Sequence, residues 1–197
     1  MAKFFGNLNL VLLVGVLIAI AVMTSFDGRG IPLDANSVFR WFHVFFGILW
    51  IGLLYYLNFV QVPTMPSIPA EQTGAINKHI APNVLFYFRY AALLTVLTGL
   101  VVAHLSGYLF SPGSDLNALT FNGEGAVDLI GLGMWMAIIM FLNVWVIIWP
   151  AQKKILGIVE ASDEEKAVAR PRALAASRTN TLLSLPMLYC MVSANLG

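Results

Sequence analysis

The chain has 197 residues, of which 59% are hydrophobic and only 11% charged, with a net charge of +1. Soluble domains carry about 25% charged residues, so water is not the main solvent, and the balanced charge gives nucleic acid no footing. Cys190 is the only cysteine, which excludes an intrachain disulfide, a Cys-x-x-Cys redox pair and a Cys-x-x-Cys-His site for covalent haem.

A bilayer core of about 30 Å needs about 20 apolar residues in a helix. Five segments meet that demand, at about 8–24, 37–62, 83–109, 126–149 and 179–195. The first follows Lys3 in the manner of a secretory signal and is read as a retained helix. The second contains "FRWFHVFFGILWIGLLYYLNFVQV", long enough to tilt. "VPTMPSIPAE" and "SPGSDLN" cluster Pro and Gly and read as loops. The fifth span contains Pro186. The fold class is thus an all-α membrane bundle of about five helices, one integral domain over 1–197.

Basic residues orient the bundle. The connection 151–178 holds Lys153, Lys154, Lys166, Arg170, Arg172 and Arg178, six of the eleven Lys and Arg, while 106–128 holds three acids and no base. The first is cytoplasmic and the second external, with the N-terminus inside and the C-terminus periplasmic. Within the connection, Ile155, Leu156 and Val159 fall at helical spacing and Pro171 interrupts the pattern.

His43 then lies about 9 Å into the second helix from outside, and His104 a few residues before the third helix ends on the same side. Two imidazoles at matched depth on antiparallel, consecutive helices suit a bis-histidine haem b, with Arg40 placed for a propionate and aromatic neighbours for walls. The same residues have a plain structural reading, as helix-end hydrogen bonds and an interfacial aromatic belt. Both stay open at this level. His79 falls in the inner loop. Arg40, His43, Gly47, Trp50, Leu54, Asn58 and Gln61 recur at three- and four-residue spacing and share one face, expected to point into the bundle. Arg89 is expected to snorkel, Gly131 and Gly133 to permit close packing, Asn143 to need a partner, and Trp149 and Pro150 to mark a cytoplasmic exit.

Three stretches carry a resemblance. "FRWFHVFFGILWIGLLYY", "NVWVIIWPAQKKILG" and "SRTNTLLSLPMLYCMVSANLG" resemble segments of the bacterial membrane-bound urate oxidase (urate hydroxylase) N-terminal membrane domain. His43, Trp50, Asn143, Gln152, Lys153, Arg178, Asn180 and Pro186 match family positions. The resemblance implies a multi-pass protein of the bacterial inner membrane, linked to urate oxidation with electrons passed to a c-type haem. With no Cys-x-x-Cys-His in the chain, it reads as a short member without the cytochrome c domain, and the acceptor is expected to be a separate cytochrome c. Three functions follow: a redox-associated subunit holding haem b near the outer face, a non-catalytic accessory subunit of a larger respiratory-type complex, and a urate-oxidising enzyme.

Overall fold

The fold is that of a computed structural model, which describes residues 2–27, 29 and 32–194. Two compact units divide at residue 38.

In the first, a turn at Ala2–Phe5 precedes helix α1, Leu8–Phe26. Asn7 caps α1 by accepting from the Leu10 amide at 3.2 Å, which satisfies one of the donors a helix start leaves open. None of its residues is buried. Helix α2, Ala35–Tyr55, begins here; Asp34 accepts from the Ser37 amide at 2.8 Å.

The second unit contains the rest of α2, then α3 (Ala81–Leu105), α4 (Ala126–Leu142), α5 (Trp149–Ile155) and α6 (Asp163–Ser193). Wide π-helical turns extend α2 over Tyr56–Gln61, precede α3 over Ile76–Ile80 and join α4 to α5 over Asn143–Ile148. No strand forms among the described residues. Four helical stretches are long and apolar enough to cross a membrane: Leu8–Phe26, Ala35–Ser67, Ala70–Leu105 and Ala126–Ile155. The protein is an all-α, multi-pass membrane protein.

Three expectations change. The stretch 62–71 is not a loop. It winds on through Val62–Thr64 and Met65–Ser67, breaks at Ile68 and Pro69, and resumes at Ala70. Pro63 and Pro66 each fall at the start of a turn, where a missing N–H costs least.

The connection after α4 also differs. Helix α5 ends at Ile155, and Gly157 takes φ +71°, the left-handed geometry that glycine permits. Val159 therefore lies outside any helix. A capping box of Ser162 with Glu165 starts α6, which runs unbroken through Pro171 and Pro186.

The fifth expected span is the second half of α6, and Asn195 lies outside the described residues. It is helical and packs on α4, but Ser177, Thr179, Asn180, Thr181 and Ser184 keep it less apolar than the other four.

The core gathers around Trp50, Leu54, Phe88, Met140 and Val144. Gly133 lets α4 meet α6, since a Cβ there would stand 3.0 Å from Cys190 Cβ. Gly131 faces the backbone of the turn Ala118–Thr120, where a Cβ would stand 2.0 Å from the Ala118 oxygen. Polar side chains tie the same helices. Asn143 Nδ2 donates to Asn180 Oδ1 at 2.9 Å, and Asn180 Nδ2 to the Met140 carbonyl at 2.9 Å. Asn58 donates to Leu54 O and Ser177 Oγ at 2.9 and 2.8 Å. The expected inward face of α2 holds: Trp50, Leu54 and Asn58 are fully buried.

Candidate functional site

One face of α2 borders a cleft of about 670 Å³, with α3, α4 and α6 supplying its other walls. That volume lies within the roughly 300–1,000 Å³ typical of small-molecule pockets. Val44 and Ile48 of α2 and Leu188 and Val192 of α6 line it and are also exposed, so the cleft opens sideways between these two helices, towards lipid. Its walls are almost wholly apolar. Gly47 widens it, since a Cβ there would touch nothing nearer than a Thr95 methyl at 3.9 Å.

The polar groups concentrate at one end. Arg40 and His43 both line the cleft there. Arg40 Nη2 donates to Ser106 Oγ at 3.3 Å, which links α2 to the end of α3. His43 Nδ1 lies 2.8 Å from the Thr95 carbonyl oxygen. A carbonyl can only accept, so Nδ1 carries the hydrogen and the lone pair is left on Nε2. The ring rests on Gly99, whose absent side chain makes room for it. Fully buried Trp50 lines the cleft as well, and its indole N–H has no hydrogen-bond partner among the described residues.

His104 is placed differently. It is exposed at the last turn of α3, and its Nδ1 lies 3.0 Å from the Leu109 carbonyl oxygen. Gly99 marks the direction in which α3 faces His43. Five residues on, His104 points about 140° away from it. The cleft takes Val102 and Ala103 from that turn and not His104. His104 also lies five residues, about 7.5 Å, beyond the level at which His43 meets α3. The expected match fails in depth as well as azimuth, and the two imidazoles do not share this cleft. His79 is exposed, its carbonyl accepting from Asn83. Among the described residues, no three His, Cys, Asp or Glu side chains gather as a metal cage.

The sequence reading found Arg40 and His43 but missed Thr95 and Gly99, which fix the imidazole. A hydroxyl residue and a glycine one turn apart on a membrane helix were the available signal. Arg89, expected to snorkel, lays its guanidinium on Trp149, a partner the sequence reading did not name.

Residues 114–197 match the sequence model of a family described as urate oxidase N-terminal. Over that stretch the chain is similar to the urate oxidase N-terminal family. It takes in α4, α5 and α6, with Asn143, Gln152, Lys153, Arg178, Asn180 and Pro186, two of the three stretches whose resemblance the sequence showed. The polar end of the cleft, on α2 and α3, lies outside the matched residues. No curated protein and no solved structure matches the chain.

Proposed function

We propose that the chain is a redox-associated subunit of the bacterial inner membrane that binds haem b in the cleft beside His43, near the outer face. The observation that carries this reading is the fixed imidazole: Nδ1 is bonded to the Thr95 carbonyl at 2.8 Å, the outer contact that typically sets a metal-binding histidine's tautomer. Nε2 is then the ligating atom, and Arg40 is the residue to pair with a propionate carboxylate. The apolar walls would exclude water from the macrocycle. Haem, when bound, supplies one-electron chemistry towards a separate cytochrome c or a quinone. The cleft offers one imidazole from this chain, so His104 is not part of the proposed set.

The test is a dithionite-reduced minus oxidised spectrum of the purified protein, before and after reconstitution with haemin. A sharp α band that is lost in His43→Ala and kept in His104→Ala supports the reading. A protein that stays colourless after reconstitution refutes it.

A second reading has its own support. The ring of His43 against Gly99 ties α2 to α3, which suits a purely structural role in a larger membrane complex. Stoichiometric partners co-purifying with a colourless protein would favour that. Urate oxidation rests on the family match alone, and urate consumption by membranes, lost on deletion of the gene, is its test.

A further inference from the structure

At the opposite end of the bundle a second arrangement has no part in the cleft. Arg89 of α3 lays its guanidinium against Trp149, with Cζ 3.8 Å from the ring centroid. Phe86 and Tyr90 flank it, with centroids 5.4 and 5.1 Å from Cζ. Lys153, one turn beyond Trp149 on α5, brings its Nζ to 5.9 Å from the same ring. Two cations thus lie near one indole, contributed by two different helices.

Neither charge is balanced by an ion pair among the described residues. The ion pairs among the described residues join Lys154 to Glu165 and Lys166 to Asp163, and the side chains of Arg89 and Lys153 form no hydrogen bond there. A guanidinium stacked on a ring keeps its N–H groups in plane and free to bind at the edge. Arg89 is also partly buried. Counting back from Leu105, it lies about 24 Å from the far end of α3, just inside the inner edge of a core about 30 Å thick. That is the depth at which lipid phosphates begin, on the side the basic residues mark as cytoplasmic.

We infer that Arg89 and Lys153, braced on Trp149, form a binding site for a phosphate oxyanion, supplied by an anionic phospholipid headgroup in the inner leaflet. Bidentate guanidinium contacts and a neighbouring ammonium are the groups that recognise such an oxyanion, and basic pockets between helices on this side of a membrane hold anionic headgroups. The site is independent of the cleft and of haem.

The experiment uses the whole chain in neutral detergent, titrated with phosphatidylglycerol, phosphatidylcholine or inorganic phosphate. Thermal unfolding and native mass spectrometry are the readouts. The expected result is a rise in unfolding temperature with phosphatidylglycerol over phosphatidylcholine, and retained phosphatidylglycerol in the mass spectrum. Arg89→Gln and Lys153→Gln should each weaken binding about fivefold. Competition by inorganic phosphate would identify a free phosphate as an equal occupant of the same site. Equal response to both lipids, or unchanged phosphatidylglycerol binding in the variants, overturns the inference. Should Arg89→Gln fail to fold, Lys153→Gln carries the test alone.

Discussion

The imidazole of His43 lies across the backbone of Gly99, so close that a Cβ there would stand 2.7 Å from Cε1 and 3.0 Å from Nδ1. The contact joins α2 to α3 and holds the imidazole that lines the cleft. Alanine normally gains about 1 kcal/mol over glycine inside a helix. Here the new methyl meets a ring already anchored to Thr95, and overpacking costs about 1–3 kcal/mol. Gly99→Ala should therefore lower stability, by about 1 kcal/mol net, in detergent unfolding, and should also impair any ligand binding at Nε2.

The Asn143–Asn180 pair yields a second expectation. Asn180→Leu strands the Asn143 amide and removes a donor from the Met140 carbonyl. Polar contacts between membrane helices are worth less than buried ones in water, about 0.6 kcal/mol on average and up to about 1.7. With two bonds lost, a destabilisation of about 1–2 kcal/mol is expected. The Asn143→Leu, Asn180→Leu double variant should lose less than the sum of the single changes, as measured by equilibrium unfolding.

Gly131 and Gly133 should differ in tolerance. An alanine methyl at 131 would meet the Ala118 carbonyl at 2.0 Å, whereas one at 133 would meet Cys190 Cβ at 3.0 Å. Backbone cannot swing aside as a side chain can. Gly131→Ala should displace the turn Ala118–Thr120, break the Trp135 Nε1 bond to Leu119 O at 2.9 Å, and cost about 3 kcal/mol or more. Gly133→Ala should cost about 1 kcal/mol. Trp135 fluorescence and unfolding would separate the two.

At the start of α6, Glu165 bonds Lys154 and the Ser162 amide, and both hold its carboxyl below the usual glutamate value. A depressed carboxylate stabilises the fold fully above its unfolded pKa, and that contribution fades as pH falls through the lower folded value. Below about pH 4.3 the wild-type protein should lose the α5–α6 junction progressively. Glu165→Gln should flatten this acid slope in a pH series of proteolytic susceptibility at 156–162.

Much of α2 was legible because its residues report one face at regular spacing, and Trp50, Leu54 and Asn58 are indeed sealed. Asn143 declared its need for a partner by being polar inside a span. The relative placing of the helices was not legible: residue counts gave His43 and His104 equal depth, yet the seat at Gly99 sets His43 about 7.5 Å short of His104 along α3 and shows which side of α3 faces α2. Pro171 misled for a different reason. It removes a hydrogen bond, but Ala169 and Ala173 bury against Ala151 of α5, and that packing carries the helix past the proline. The prolines at 63 and 66 likewise looked like chain breaks because sequence composition does not show where in a turn each ring falls.

The three wide turns at 56–61, 76–80 and 143–148 carry one further meaning. Such a turn accommodates a surplus residue that a regular α-helix would have to expel. All three lie away from the half of the bundle that seats His43. Insertions or deletions of single residues across evolution can be taken up there, as slack in a rope is taken up at one end. The half that seats His43 then keeps its register while the other half changes length.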